Sequence, residues 1–346
     1  MLARLAPRPP LKPHPPTALL TPAMAGLLDR IARARRPPFH AMTPGQARAA
    51  YEAGAEVLDL PRVPLGRVEA LALPGGDGCP RAARLYAVDH APRQALLYMH
   101  GGGFVVGSLE SHDSLCRQLA LRSGWAVVAL DYRLAPEHRF PAAVEDAWAA
   151  MRALAASPGR FGLAGQPLAV GGDSAGGTLA AVCALRARDL GLPLALQLLI
   201  TPGTAAHADT ASRRLFADGF LLDAATIDWF FEHAIDRGQR SDWRFAPLQA
   251  DIDGVAPACV ILAECDPLVD EGLAYADRLR AAGVPVALEL YRGVTHDFIK
   301  MGRALKEAHA AQQAAACALQ EAANRTSNAP STSAALSTTP GAGDRP

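Results

Sequence analysis

The sequence predicts an α/β fold in which helices cover a mostly parallel, eight-stranded sheet. Short apolar runs of the length of buried strands alternate along the chain with longer segments of helical character. Glycine-rich or polar motifs directly follow several of these strands, at the edge where an open parallel sheet binds its ligands. With 346 residues, 50% of them hydrophobic, the chain is long enough for one large core with an insertion.

The apolar and helical patterns place the elements in order. The predicted strands are 68–73, 83–88, 95–99, 126–130, 168–171, 194–201, 258–263 and 286–291. The predicted helices are 17–35, 43–58, 111–123, 141–155, 177–190, 223–233, one that includes 270–271 and ends near 283, and 304–323.

The sequence Gly-Asp-Ser-Ala-Gly over residues 172–176 lies between the fifth predicted strand and the helix 177–190. A Gly-x-Ser-x-Gly sequence at a strand-to-helix turn is typical of a nucleophile elbow, because the sharp turn leaves no room for a Cβ atom on either side of the serine. The turn would raise the Ser174 hydroxyl above the edge of the sheet. The alternative is a glycine-rich turn in which Asp173 or Ser174 caps the helix.

Three consecutive glycines follow the third predicted strand, in the sequence His-Gly-Gly-Gly-Phe over residues 100–104. Glycines let the backbone approach a ligand and direct N–H groups toward it, as an oxyanion hole requires. We expect the donors to be the N–H groups of Gly102, Gly103 and Ala175, the residue after the serine. His100 is expected to orient this loop through hydrogen bonds. The alternative is a flexible surface turn.

Two further polar residues follow the last two strands. Asp266 comes after the seventh strand and is preferred as an orienting carboxylate to Asp270 and Glu271, which fall inside the next helix; it is also a good helix cap. His296 lies in the loop after the eighth strand, although a lone loop histidine is usually a surface residue. The chain order Ser174, Asp266, His296 is the one expected of a hydrolytic triad on a parallel sheet.

Several motifs of this chain add to the elbow, and two of them, the full Gly-Asp-Ser-Ala-Gly-Gly run and Tyr-Arg-Leu-Ala-Pro-Glu, are far more specific than it. The motifs are His-Gly-Gly-Gly-Phe (100–104), Asp-Tyr-Arg-Leu-Ala-Pro-Glu (131–137) with Phe-Pro-Ala-Ala (140–143), Gly-Asp-Ser-Ala-Gly-Gly (172–177), Asp-Pro-Leu (266–268) with Asp-Glu-Gly (270–272), and His-Asp-Phe (296–298).

Together these motifs resemble those of the hormone-sensitive-lipase-like (family IV) esterases, a bacterial branch of the α/β-hydrolase fold, over roughly residues 45–320. The resemblance implies a serine carboxylesterase that needs no cofactor. Its substrates would be small molecules, namely short- to medium-chain carboxylic esters. It also implies a helical cap built from the N-terminal segment and an insertion after the sixth strand.

The chain is accordingly divided into six segments. They are a Pro-rich leader (1–17) expected to be disordered, N-terminal cap helices (18–60), a first part of the hydrolase core (61–202), the cap insertion (203–250), a second part of the core (251–323) and a disordered tail (324–346). The alternative for the N-terminal helices is that they only pack on the sheet. The aromatic residues 229–231 are expected either to form a wall of the substrate pocket or to be ordinary core.

Composition excludes several other classes. Lys plus Arg and Asp plus Glu both number 34, so a basic face for nucleic acid is not indicated. The six cysteines show no metal-ligand spacing, and several lie in apolar segments, which fits a reducing compartment. The N-terminus lacks the apolar stretch of a secretory signal, and no apolar run is long enough to span a membrane. We therefore expect a cytoplasmic protein without metal or cofactor, and a homodimer is possible.

The remaining polar residues are expected to have structural roles. Asp173 is expected to hydrogen-bond within the elbow or cap the helix, and Arg133 and Glu137 are expected to support the loop beneath the oxyanion segment. Four histidines lack metal-ligand spacing and are expected at the surface or in packing: His112, His138, His207 and His233.

Three other functions remain open from the sequence. The same three residues could act on an amide, lactone or formamide, because the chemistry is shared. A non-catalytic ligand-binding protein on this scaffold, as in the plant gibberellin receptors, is less favoured because Ser174, Asp266 and His296 are all present. A lipase acting at oil–water interfaces is disfavoured by the absence of a long apolar lid.

Overall fold

The computed structural model describes residues 16–165, 167–207 and 209–328. Residues 1–15 and 329–346, most of the predicted leader and tail, lie outside the described residues. The fold confirms the prediction of an α/β protein with a mostly parallel, eight-stranded sheet.

The sheet has the strand order β1-β2-β4-β3-β5-β6-β7-β8. Strand β2 runs antiparallel to both of its neighbours, β1 and β4, and every pairing from β4 to β8 is parallel. The strands are β1 Arg67–Pro74, β2 Pro80–Ala87, β3 Ala95–Met99, β4 Ala126–Leu130, β5 Leu168–Asp173, β6 Gln197–Ile200, β7 Ala258–Cys265 and β8 Val286–Thr295.

Helices flank the sheet on both faces. They are α1 Pro22–Arg33, α2 Pro44–Leu58, α3 Asp113–Ser123, α4 Ala142–Ala156, α5 Ala175–Asp189, α6 Ala211–Leu215, α7 Ala224–Ala234, α8 Val269–Ala281 and α9 Lys306–Asn328. Helices α4, α5 and α8 pack in one apolar core, and α1, α3 and α9 pack in a second. Among the described residues, no helix combines the length and apolarity needed to cross a bilayer.

The central strands are apolar on both faces, which explains why they were predictable as continuous runs. In β3 every residue is buried. Leu97 and Met99 belong to one core, whereas Leu96 and Tyr98 belong to the other, as the two-residue period of a strand requires. The sequence bounds of β3 and β4 agree with the structure at both ends.

The predicted helix over 17–35 is wrong in its first turn. A short 3-10 helix, Pro16–Leu19, precedes α1, which begins only at Pro22. Proline has no N–H to donate and favours extended backbone at the preceding residue. Thr21 is extended, with φ −62° and ψ 151°, and its hydroxyl accepts a bond from the N–H of Met24. Thr21 is therefore a cap and not an interior residue.

The last helix is displaced from its prediction in the C-terminal direction. It spans Lys306–Asn328, so residues 324–328, assigned from the sequence to the disordered tail, are helical. No glycine or proline interrupts this segment before Pro330, and alanine-rich sequence propagates a helix until such a residue stops it. Composition alone placed the boundary too early.

Candidate active site

Ser174 occupies a strained turn between β5 and α5. Its backbone has φ 51° and ψ −120°, outside the regions that L-residues ordinarily occupy. A Cβ atom on Gly172 or Gly176 would lie 2.3 or 2.0 Å from the carbonyl oxygen of Met99, so the serine needs glycine at both positions. The alternative of a capped glycine turn is wrong, because neither Ser174 nor Asp173 caps α5 with its side chain.

Ser174, His296 and Asp266 are joined by hydrogen bonds. The Nε2 atom of His296 lies 2.9 Å from the Ser174 hydroxyl, and its Nδ1 atom lies 2.7 Å from a carboxylate oxygen of Asp266. Asp266 and His296 are buried. Strand β8 is longer than its prediction and ends at Thr295, so all three side chains stand at or just beyond strand ends on one edge of the sheet.

The second oxygen of Asp266 is also occupied. It accepts a bond of 2.8 Å from the N–H of Leu268 before α8 begins, so this carboxylate both orients the histidine and fixes its own loop. The two rival acids are engaged elsewhere. Asp270 accepts from the N–H of Ser212, and Glu271 pairs with Arg213 at 3.0 Å.

Carboxylates dominate the electrostatic environment of His296. Burial alone lowers the pKa of this imidazole, because it disfavours the charged ring. The charge and hydrogen bond of Asp266 outweigh that effect, and Asp297 and Asp173 act in the same direction, so the pKa of His296 lies above its usual value. The site therefore stabilises the imidazolium that forms when the ring accepts a proton.

Gly102, Gly103 and Ala175 line the same cavity as Ser174. Gly102 and Gly103 have φ of 119° and 58°, and Ala175 is the first residue of α5. None of the backbone N–H groups of these three residues donates to a protein acceptor within the part of the chain that the structure describes. A Cβ atom on Gly103 would lie 2.2 Å from the ring of Phe230, so only glycine fits there. The three donors are free for a ligand oxygen.

His100 is hydrogen-bonded to the glycine loop that follows it. Its Nδ1 atom lies 2.8 Å from the carbonyl oxygen of Gly101, and its ring stacks on that of Tyr132 at 4.4 Å between centroids. The Tyr132 hydroxyl donates to the His100 carbonyl at 2.8 Å. Burial lowers the pKa of His100 to about 3, so the ring is neutral and donates through Nδ1.

Asp173 does not cap the helix but links the elbow to the oxyanion loop. One carboxylate oxygen accepts from the Tyr98 hydroxyl at 2.6 Å and from the N–H of Gly101 at 3.1 Å. The other lies 3.1 Å from Nε2 of His112. Burial alone would raise the pKa of Asp173, but the charge and hydrogen bond of His112 and the more distant charge of Lys300 hold it well below its usual range.

Sequence reasoning missed Tyr98 and His112. The ring of His112 is buried, in agreement with the expected packing role, but the sequence did not predict that it bonds to both Asp173 and the Ser111 hydroxyl. One feature of the sequence could have indicated that Tyr98 has a polar partner, since it carries the only hydroxyl in an otherwise apolar strand. A buried hydroxyl requires a partner. His138 and His207 are exposed, as expected.

The expected support from Glu137 and Arg133 takes a different form. Glu137 accepts two hydrogen bonds, of 2.9 and 2.6 Å, from Arg48 on α2. The same guanidinium donates to the carbonyl oxygens of Val105 and Ala135. Arg133 instead donates two hydrogen bonds, from Nε and Nη2, to the two carboxylate oxygens of Asp146 on α4. The N-terminal helix is therefore attached to the loop that follows the oxyanion segment.

A cavity of about 750 Å³ opens onto Ser174 and His296. Its walls come from the sheet edge and from helices of both predicted cap segments. The aromatic stretch contributes Phe230 and Phe231, in agreement with its interpretation as a pocket wall. Most of the other lining side chains are apolar, among them Leu27, Leu28, Ile31, Phe39, Met42, Leu58, Leu222, Ile227, Phe245 and Met301. Within the described residues no cluster of histidine, cysteine or acidic side chains is arranged to hold a metal ion.

This fold and this arrangement define the class of serine-type α/β hydrolases. A family model described as alpha/beta hydrolase fold matches residues 96–300. The chain belongs to this family, and its relatives confirm the predicted membership of the hormone-sensitive-lipase-like branch.

Two curated relatives and one solved structure illustrate the similarity. Ethyl acetate hydrolase of Pseudomonas putida is 40% identical over 302 residues, which are 84% of this chain and 95% of the relative. Carboxylesterase NlhH of Mycobacterium tuberculosis is 39% identical over 240 residues, 68% of this chain and 75% of the relative. A hyperthermophilic esterase from the archaeon Pyrobaculum calidifontis has a TM-score of 0.83 at 37% identity, covering 88% of this chain and 99% of that chain.

Proposed function

We propose that the protein is a serine carboxylesterase that hydrolyses short- to medium-chain carboxylic esters through an acyl-enzyme intermediate. One observation carries the proposal: the hydrogen-bonded series Ser174, His296, Asp266 opens into an apolar cavity, which is also lined by three residues whose N–H groups have no acceptor among the described residues. The names of the relatives, ethyl acetate hydrolase and carboxylesterase, support ester bonds as the substrate.

In the first half of the reaction, the Ser174 hydroxyl attacks the ester carbonyl carbon while Nε2 of His296 takes its proton. The tetrahedral oxyanion accepts hydrogen bonds from the N–H groups of Gly102, Gly103 and Ala175, each worth about 10²–10³ in turnover. The imidazolium, held by Asp266, then protonates the leaving alcohol and the acyl-serine ester remains.

In the second half, water replaces the alcohol. His296 takes a proton from the water as its oxygen attacks the acyl carbon, and the same three donors stabilise the second oxyanion. Collapse returns the proton to Ser174 and releases the carboxylic acid. Covalent catalysis thus divides one difficult step into two easier ones.

The cavity supports small, mainly apolar esters. A volume of about 750 Å³ is within the usual range for small-molecule sites. The charged side chains on its walls are of both signs and partly paired, as Arg213 is with Glu271. Aliphatic acyl and alcohol groups of modest length suit these walls better than a strongly charged substrate.

We also propose that segments 18–60 and 203–250 together form the cap, since α1, α2 and residues of α6 and α7 line the cavity opposite the sheet edge. We further propose that the protein acts in the cytoplasm on small molecules, without a nucleic-acid partner, and that it can form a homodimer. Light scattering of the purified full chain decides the oligomeric state, and fractionation of cells producing it decides the location.

The central experiment is the replacement Ser174→Ala, assayed with p-nitrophenyl butyrate. Loss of the nucleophile should lower turnover by roughly 10⁶-fold with unchanged circular dichroism. A fluorophosphonate probe should label the native chain and not the variant, because only an activated serine reacts. Retained turnover in Ser174→Ala, or an unlabelled native protein, would contradict the proposal.

A further inference from the structure

A buried lysine stands beside the histidine loop without a role in the reaction described so far. Lys300 is 5% exposed, and its ammonium group donates to the hydroxyl of Tyr51 and lies 3.5 Å from a carboxylate oxygen of Asp297. It also lies 4.3 Å from the centre of the Tyr51 ring. Within the described part of the chain this ammonium group has no other hydrogen bond or salt bridge, although its charge also acts on the more distant carboxylates of Asp59 and Asp173. Burial of a lysine is expensive, so this arrangement needs an explanation.

The three side chains form a directed series of hydrogen bonds, which we call the Tyr51–Asp297–Lys300 cluster. Lys300 donates to the Tyr51 hydroxyl, and that hydroxyl donates to Asp297 at 3.1 Å. Burial, together with the charges of Asp297 and Asp173, raises the pKa of Tyr51, so the phenol stays protonated and remains a donor. All three residues line the cavity that contains Ser174.

The cluster joins two segments that are distant in sequence. Tyr51 lies on α2, whereas Asp297 and Lys300 belong to the turn that begins with the residue after His296. Asp297 has φ 63°, a left-handed conformation that is costly for an aspartate unless its surroundings hold it. The bond from Tyr51 holds the side chain of this strained residue.

A second attachment between the same segments supports this interpretation. Arg303 donates its backbone N–H to the carbonyl of Leu58 at 3.2 Å and its Nε to the carbonyl of Asp59 at 2.6 Å. A Cβ atom on Gly302 would lie 2.5 Å from the Leu60 side chain, so the chains are in close contact there. Helix α2 is therefore fixed to the His296 segment at its middle and at its C-terminal end.

The cluster also contributes two opposed charges near the imidazole. Three carboxylates raise the pKa of His296: Asp266 after β7, Asp173 at the end of β5, and Asp297 on its own turn, where Lys300 pairs with Asp297. Glu271 and Arg213, which also line the cavity, form an ion pair with each other at 3.0 Å. The field of Lys300 reaches the core of the site, because it acts on Asp173.

We propose that Tyr51, Asp297 and Lys300 are positioning residues for the hydrolytic reaction, which fasten α2 to the loop that carries His296 and set the electrostatic field at its ring. The inference rests on the proposed esterase function. The charge of Asp297 raises the pKa of the His296 imidazole and the charge of Lys300 lowers it. Together the two charges keep this pKa in a range in which the ring can both accept and return a proton.

Three replacements test this proposal through the acid limb of the profile of kcat/KM against pH. Asp297→Asn removes a negative charge but keeps a residue that tolerates the left-handed backbone, so the midpoint should fall by roughly half a pH unit or more. Lys300→Met removes the opposing charge and should move the midpoint upward by a similar amount. Tyr51→Phe leaves both charges, so its midpoint should stay while kcat/KM falls by about tenfold.

Matched controls use exposed residues of the same types. Asp277→Asn on α8 and Lys306→Met at the start of α9 repeat the two charge changes at exposed positions outside the cluster, and their pH profiles should match the native one. A merely structural cluster would lower activity in all three variants without moving the midpoint. Equal midpoints in Asp297→Asn, Lys300→Met and the native chain would overturn the inference.

A direct titration separates this inference from the proposed function. In the Ser174→Ala background the ring of His296 is followed by NMR across pH, with no need for turnover. If the native chain hydrolyses no ester, the esterase proposal fails, yet the opposite shifts of the His296 titration in Asp297→Asn and Lys300→Met still test the cluster. If the native chain is active and the ring titrates identically in all variants, only the inference fails.

Discussion

The imidazole of His296 shows how a single residue depends on its surroundings. It is buried, which favours the neutral ring, but it contacts Asp266 and lies near two further carboxylates, which favour the charged one. The carboxylates prevail, so the pKa lies above the usual 6.5. A histidine that is charged cannot accept the proton of Ser174, and activity must therefore decline as pH falls through this raised pKa.

The first prediction follows at the residue scale and concerns Asp266→Asn. The amide cannot stabilise the imidazolium, and turnover should fall by on the order of 10⁴-fold. Because the strongest charge that raises the His296 pKa is lost, the acid limb of residual kcat/KM should move to lower pH. A pH profile of p-nitrophenyl butyrate hydrolysis measures both effects.

The control for this prediction is Asp270→Asn, which removes a nearby carboxylate that bonds to Ser212 and not to the histidine. Its acid limb should coincide with that of the native chain. If Asp266→Asn left the acid limb in place, the account of the raised pKa would be wrong.

At the scale of elements, Asp173 connects three parts of the fold. It ends β5, and its carboxylate binds Tyr98 of β3, His112 before α3 and the N–H of Gly101 in the oxyanion loop. Ser174 and the glycines 102–103 lie on different segments, so their relative placement needs such a link. A buried carboxylate such as that of Asp173 is tolerated only because both of its oxygens have hydrogen-bond partners.

The second prediction is that Asp173→Asn lowers kcat more than it raises KM. The amide cannot accept bonds on both of its former oxygens, and it loses the charge that pairs with His112. We expect a 10- to 100-fold fall in kcat, roughly 1–3 kcal/mol, and a lower melting temperature. Steady-state kinetics and thermal unfolding measure these. Asp189→Asn, at the exposed end of α5, is the matched control, and equal losses in both would refute the linking role.

The elements differ in how far the sequence could place them. Central strands such as β3 and β4 were bounded correctly because burial on both faces leaves an uninterrupted apolar run. The start of α1 was predicted too early because the apolar residues at helical spacing continue on the N-terminal side of Pro22. Thr21 caps the helix instead, so the helix begins at Pro22. The short helix α6 was not predicted, since five residues carry too little periodicity to detect.

At the scale of the whole molecule, helix α2, which lines the cavity, is attached to the loops that follow β3 and β4. Arg48 of α2 donates from both terminal nitrogens to the carboxylate of Glu137. It also donates to two backbone carbonyls near the oxyanion loop. The Glu137 pair is half-exposed and contributes little by itself. The bonds to Val105 and Ala135 are partly buried and contribute more.

The third prediction is therefore that Arg48→Met loosens α2. Amide hydrogen exchange in residues 44–58 should become faster, and the free energy of unfolding should fall by about 1 kcal/mol. Mass spectrometry measures the rate of amide hydrogen exchange, and denaturant unfolding measures the change in the free energy of unfolding. Arg33→Met, which removes only an exposed pair with Asp29, serves as control. Unchanged exchange in α2 would show that Arg48 does not hold the helix.

The sequence by itself determined the α/β fold class, the family, and the placement of Ser174, Asp266 and His296 at strand ends. It could do so because each signal is local: a glycine pattern fixes a turn, and a parallel sheet brings its carboxyl ends to one edge. Only the tertiary structure decided that Asp173 links to His112, that Arg48 reaches the oxyanion loop and that Lys300 meets Tyr51. These contacts join segments far apart in the chain, and their geometry depends on how whole elements pack, which no local pattern encodes.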